Sequence, residues 1–235
     1  MQTEGPATGF LETKRAAGVD FYAAGNEPGW SLEMDLGKVI RFKPQNGGAF
    51  NAPAPERKQI PDVGVTSYYT VTESGTLTVK IFNQTCTDNM SGQSYPRKVE
   101  VTMNEKTFSG CGTYLVDNRL NDTWVLQSLH GQEVRNENAG KEIPFLAFNP
   151  KEGRMSGSTG CNRINGKADV EGKWLVLGPT ASTLMHCTNA QYEAAFLMAL
   201  APGMLQYHIK DDQLSLLKEG QPVMVLKKAG ERDRQ

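Results

Sequence analysis

The chain reads as a mainly β protein of two small antiparallel β-barrel or β-sheet domains, the second with one packed helix. Three observations lead there. Apolar and polar residues alternate over short segments, the period-two pattern of strands buried on one face. Gly, Pro, Asn and Asp interrupt those segments at close intervals, as turns require. A length of 235 residues supplies two ordinary cores, and four cysteines divide two and two between the halves.

Residues 1–19 are polar and contain Gly and Pro, and read as a flexible tether. A first domain is expected over 20–116. It opens with the alternating run 30–34 and a second apolar run at 38–42, each too short for a helix. The stretch 44–61 is rich in Gly, Pro and Asn, and Pro53 and Pro55 remove backbone donors, so an irregular loop is expected there. Strand patterning returns at 66–71, 76–82 and 98–103, with a turn at Glu73-Ser74-Gly75. Leu77, Val79 and Ile81 share one face, so the sheet needs a partner layer or must close on itself.

The pattern breaks near Val116-Asp117-Asn118-Arg119, and a second domain is expected over 117–229 with a charged tail at 230–235. Its strands are expected at 123–126, 144–148, 173–177, 205–209, 214–216 and 223–226. Asn165-Gly166 is read as a type I′ hairpin turn and Glu171-Gly172 as a second turn. Thr188 followed by Gln191 has capping-box spacing, and Tyr192, Ala195, Phe196 and Ala199 recur at helical intervals before Pro202-Gly203.

Lys and Arg number 25 against 26 Asp and Glu, a balance that offers no field for nucleic acid or an anionic membrane surface. No apolar run is long enough to span a bilayer. The N-terminus lacks the features of a leader, and the numbered chain reads as the mature part of an exported protein, with a lipid anchor in its precursor left open. Cys86, Cys111, Cys161 and Cys187 form no CxxC pair and have no His at zinc-finger spacing. One disulfide per domain, Cys86 with Cys111 and Cys161 with Cys187, suits an oxidising compartment, which in bacteria means the periplasm or outer-membrane-associated envelope.

The run Gly157-Ser158-Thr159-Gly160-Cys161-Asn162-Arg163-Ile164-Asn165-Gly166, followed by Thr183-Leu184-Met185-His186-Cys187, resembles the signature of the META/HslJ family over about 120–228. The resemblance implies a compact antiparallel β-fold, often found in envelope proteins linked to stress, with no established catalytic activity. It marks Gly157, Gly160, Cys161, Asn162, Asn165, Gly166, Thr183, Met185 and Cys187 as the motif, and His186 departs from the Ala usual before the second cysteine. The first half resembles an uncharacterised bacterial envelope domain through Gly25-Asn26-Glu27-Pro28-Gly29-Trp30, the segment beginning Cys86-Thr87-Asp88-Asn89, and Ser109-Gly110-Cys111-Gly112. Gly29 stands where that domain usually carries an aromatic.

Chemistry is weakly marked. Cys161, His186 and Cys187 are conceivable metal ligands, but neighbouring side chains on an extended chain point to opposite faces. No GxSxG elbow exists, and His130, His186 and His208 have no motif tying them to a serine or an acid. Asp211-Asp212 reads as a solvated turn, and Asp88-Asn89-Met90 lacks the EF-hand ligand series. The best binding surface is the turn carrying Asn26, Glu27, Pro28 and Trp30, with Trp30 itself readable either as a core side chain or as an exposed anchor. The expected function is therefore non-enzymatic, without cofactor or metal: an exported, stress-related or envelope-maintenance factor that binds an envelope protein or cell-wall component. The alternative is a periplasmic inhibitor of a lysozyme-type cell-wall hydrolase.

Overall fold

Alternation builds both halves of the molecule. The computed structural model describes residues 8–36, 38–54, 57–60, 64–135, 139–188 and 190–230. The chain divides into two compact units, Met1–Leu115 and Val116–Gln235.

The first unit begins with helix α1 (Thr8–Ala16) and continues with β1 (Phe21–Asn26), β2 (Gly29–Asp35), β3 (Val39–Pro44), β4 (Phe50–Pro53), β5 (Lys58–Ile60), β6 (Val65–Thr72) and β7 (Gly75–Phe82). A small hairpin, β8 (Cys86–Thr87) and β9 (Ser94–Tyr95), precedes β10 (Arg97–Met103) and β11 (Lys106–Tyr114). Nine strands form one antiparallel, barrel-like sheet in the order β4-β3-β2-β1-β11-β10-β7-β6-β5, and β8 and β9 pair only with each other. Every second side chain points inward, so Phe21, Leu32, Met34, Phe42, Leu77, Val79 and Val101 fill one core.

Two expectations for this unit are corrected. Part of the supposed tether is α1, which folds because Phe10 meets the Tyr22 ring edge-on at 5.4 Å and Lys14 pairs with Glu33 at 2.6 Å. Burial, with Glu33 nearby, raises the pKa of the Tyr22 hydroxyl. The expected loop at 44–61 contains β4 and β5. Pro53 is tolerated because β4 is an edge strand that pairs only with β3, so its missing donor breaks no inner ladder. Residues 1–7, Pro55, Pro61 and the charged tail from 231 onward lie outside the described residues.

The second unit contains β12 (Thr123–Leu129), β13 (Gln132–Glu133), β14 (Phe145–Asn149), β15 (Arg154–Ser158), β16 (Arg163–Glu171) and β17 (Trp174–Ser182). Helix α2 (Glu193–Ala199) follows, and then β18 (Gly203–Lys210), β19 (Gln213–Lys218) and β20 (Gln221–Lys228). Strands β14 to β20 pair in sequence order, and β12 pairs with both β14 and β20, which closes the barrel. Trp124, Leu146, Met155, Leu175, Leu214, Leu216 and Leu226 pack inside, joined by Phe196 from α2.

Here too the sequence reading needs correction. Asn165 and Gly166 are not a turn: both lie within β16, Asn165 opposite Ser156 and Ala181, Gly166 opposite Met155 and Thr180. The β15–β16 reversal is made earlier, around Gly160 at φ +93°, leaving Gly166 beside a bulge where an added Cβ would crowd the Thr180 side chain. The capping box is also absent. Ala190 forms an isolated antiparallel bridge with Ala139, and α2 starts only at Glu193, with Tyr192 as its N-cap and no side-chain cap bond.

Several hairpins turn through left-handed residues: Asn104 and Glu105 between β10 and β11, Asp211 between β18 and β19, and Glu219 with Gly220 between β19 and β20. Glu105, at φ +71°, is exposed, and L-residues with a Cβ resist this region by about 1 kcal/mol. Glu105→Gly is therefore expected to raise stability by several tenths of a kcal/mol to about 1 kcal/mol, read as an increased urea midpoint at unchanged slope. A second expected outcome concerns the barrel closed by β12 and β20. Residues 116–235 produced alone should unfold in one cooperative transition, with coincident near- and far-ultraviolet dichroism curves.

Candidate binding site

A dense polar cluster of the second unit lies where β15 turns into β16. The backbone there has little freedom: an added Cβ on Gly157 would meet the Phe145 carbonyl oxygen, and one on Gly160 the Ala139 carbonyl oxygen. The Gly160 N–H donates to Ser158 Oγ at 3.1 Å, and the Asn162 N–H donates to Thr159 Oγ1 at 2.9 Å. Thr159 Oγ1 in turn donates to Glu193 Oε1 at 2.8 Å.

Asn162, only 4% exposed, joins this turn to the segment after β17. Its Oδ1 accepts from Thr183 Oγ1 at 2.8 Å and from the Met185 N–H at 2.7 Å. Its Nδ2 donates to the Met185 carbonyl at 3.1 Å and to Glu193 Oε1 at 2.7 Å. The Thr183 N–H donates to the Arg163 carbonyl, the Arg163 N–H donates to the Thr183 hydroxyl oxygen, and the Cys161–Cys187 disulfide, with its Cα atoms 5.9 Å apart, completes the attachment. The loop 183–187 is thus bonded on both sides of its apex. That apex is Leu184, 98% exposed, followed by Met185 at 46% and an exposed His186.

The structure therefore brings together Gly157, Gly160, Cys161, Asn162, Thr183, Met185 and Cys187 of the sequence motif. Asn165 and Gly166 sit further along β16, outside this knot. Glu193 was missed from sequence. Its only signal was an acidic residue at the start of the helix, which ordinarily reads as a partner for the helix dipole. Leu184 lies inside the sequence motif, and the apolar pair Leu184-Met185 between Thr183 and His186 is too short to carry a pattern that distinguishes an exposed side chain from core.

In the first unit the Cys86–Cys111 disulfide ties the β8–β9 hairpin to β11, with Cα atoms 5.4 Å apart. Asn26 holds the same hairpin from the β1–β2 turn: its Nδ2 donates to Asp88 Oδ2 at 2.7 Å and to Asn89 Oδ1 at 2.8 Å. Asp88 Oδ1 accepts from the N–H and the hydroxyl of Ser91, each at 2.7 Å, and from the Met90 N–H. These bonds, led by the Ser91 N–H, hold the Asp88 carboxyl below the usual carboxylate range. A recess of about 350 Å³ lies beside them, lined in part by Glu27, Thr87, Lys98 and Ser109.

Trp30 is 5% exposed, so its ring belongs to the core. It packs 5.8 Å from the Phe42 ring, and its indole N–H donates to the Ser109 carbonyl at 3.2 Å. Gly25 and Gly110 are required beneath it, because an added Cβ at either would strike the indole and a backbone carbonyl. At Gly29 the nearest neighbour of an added Cβ is the end of the exposed Gln45 side chain. Of the turn residues, Glu27 and Pro28 remain exposed, and the Glu27–Pro28 peptide is cis.

His130, His186 and His208 lie on three separate elements: the β12–β13 turn, the loop 183–187 and β18. Among the described residues, no three His, Cys, Asp or Glu side chains gather as a metal site. No helix among them is long and apolar enough to cross a membrane.

Residues 117–230 match the META domain family model. One solved NMR structure is 26% identical to this chain, covering 46% of it and 90% of its own length with a TM-score of 0.38. An NMR structure of a protein from Burkholderia xenovorans is 23% identical, covering 48% and 86%, also with a TM-score of 0.38. No curated protein matches the chain.

Replacing Asn162 is the sharpest test of the cluster. Asn162→Ala leaves the Met185 N–H and carbonyl without their partner, and should cost roughly 2–4 kcal/mol in denaturant unfolding. Asn162→Asp keeps an acceptor but sets a second carboxylate against Glu193, so its loss should be larger at neutral pH than in mild acid. Equal losses at both pH values would show that the Glu193 contact does not matter.

Proposed function

With a META domain over residues 117–230 as the premise, we propose that the protein is a non-enzymatic, exported envelope factor that binds another envelope component through the loop 183–187. The observation that carries this reading is Leu184, an almost fully exposed apolar side chain between two residues whose backbone or side chain is bonded to Asn162. A loop already fixed in one conformation loses little entropy when a partner closes over it, so its apolar contact is retained as affinity. Binding functions commonly reside on loops displayed by a rigid scaffold. Two disulfides support residence in an oxidising compartment, the periplasm or the outer-membrane-associated envelope. The role in stress or envelope maintenance follows the resemblance of the second unit.

The same geometry favours the inhibitor as the second reading. A stiff apolar protrusion on a disulfide-locked barrel is the shape that fills an enzyme cleft, and the cleft of a lysozyme-type cell-wall hydrolase is the corresponding target.

Leu184→Asp separates these readings from a purely structural role for the loop. Because the side chain is solvated, the substitution should leave the melting temperature within about 1–2 °C. It should abolish retention of the envelope partner that the unaltered protein captures and that mass spectrometry identifies. If the partner is a hydrolase, the unaltered protein should slow cell-wall lysis in proportion to its concentration and the variant should not. Retention that is unchanged by Leu184→Asp would remove the loop from the binding surface.

A further inference from the structure

A second surface of this unit lies on the outer face of β14, β15, β16 and β17, where a groove of about 1010 Å³ runs across the strands. Its floor follows from register. Ala147, Ser156, Asn165 and Ala181 are successive cross-strand partners, so one row of short side chains crosses all four strands. The neighbouring row is Asn149, Arg154 and Lys167. Long side chains beside short ones make the recess.

The charges in that second row are the unusual feature. Arg154 and Lys167 are direct cross-strand partners, and like charges in that position destabilise a sheet. Lys167 is compensated by Asp169, whose Oδ2 lies 2.8 Å from Nζ. The exposed Arg154 guanidinium has no ion-pair or hydrogen-bond partner among the described residues. Glu152 adds one carboxylate at the groove end, and the Thr180 hydroxyl at its wall is buried without a hydrogen-bond partner among those residues.

We propose that this groove binds a carboxylate-bearing polysaccharide, with Arg154 and Lys167 receiving the carboxylates and Asn149, Ser156 and Asn165 the hydroxyls. Three features select this ligand. Strands β14, β15 and β16 are paired on both sides where they floor the groove, so a peptide cannot join that floor as an added strand. Phe148, the aromatic of the lining, is buried, so recognition in this groove rests on hydrogen bonds and charge and not on ring stacking. What remains is a file of side-chain amides and a hydroxyl beside Arg154 and an Asp169-paired Lys167, complementary to a chain that carries many hydroxyls and carboxylates at intervals. The volume is at the upper end of the range for small-ligand pockets and accommodates several sugar rings. This site is separate from the loop 183–187 and does not depend on the function proposed for it.

The test is an amide-resolved NMR titration of the full chain with tetragalacturonate, with uncharged maltotetraose and tetraglutamate as comparators. The expected result is saturable binding with shifts at Ser156, Asn165 and Arg154, and a dissociation constant at least roughly tenfold below that for either comparator. Arg154→Glu combined with Lys167→Glu should abolish saturation while preserving the dispersed spectrum, since both positions are exposed. Leu184→Asp should leave the titration unchanged. Equal binding of tetraglutamate would reduce the effect to charge attraction, and equal binding of maltotetraose would remove the carboxylate requirement. Either result, shifts confined to other surfaces, or no saturation would overturn the proposal.

Discussion

A buried carboxamide must find partners for two donors and two acceptor sites, and around Asn162 that requirement organises one end of the second unit. Its four bonds run to a threonine hydroxyl, both backbone groups of Met185 and the Glu193 carboxylate. Each is a short-range interaction of modest net value, but losing the shared partner would orphan several groups at once. The turn after β15, the segment after β17 and the start of α2 therefore hold their positions together. The disulfide Cys161–Cys187 limits how far they separate, whereas the carboxamide sets their orientation.

The first unit reaches a similar result with different chemistry. Its disulfide also fastens an excursion of the chain to the barrel, and Asn26 again bridges two segments distant in sequence. Its buried anchor is Trp30, seated over Gly25 and Gly110, and the fit is one of volume more than of hydrogen bonding. In both units the exposed residues of interest are short and few, while the residues that position them are buried.

Much of this architecture was legible in the sequence. Alternation such as Leu77, Val79 and Ile81 marks strands because only one face is buried, and two cysteines in each half allow a local pairing. The failures have physical reasons as well. Helix α1 is too short for periodicity to reveal, and its support comes from Tyr22 and Glu33, which are remote in local pattern. Asn165-Gly166 has turn chemistry, but the cross-strand register and the reversal at Gly160 place it inside a strand. Thr188 and Gln191 have capping spacing, yet Ala190 pairs in a bridge with Ala139 and the helix starts only at Glu193. Glu193 and Leu184 acquire their significance only from burial and exposure, quantities that a linear pattern does not contain.

Closure of the second barrel has a consequence for how such a unit is assembled and reused. Pairing of β12 with β20 sets Trp124 opposite Lys228, and the Ala229 N–H donates to the Thr123 carbonyl at 2.8 Å. The points where the chain joins and leaves the barrel are thus neighbours. A module whose two junctions coincide exerts little leverage on what precedes or follows it, and can be spliced beside an unrelated domain as a cassette. The same adjacency permits circular permutation: a short linker across these ends, with new termini opened at an exposed hairpin such as Asp211-Asp212, preserves every strand neighbour in the barrel.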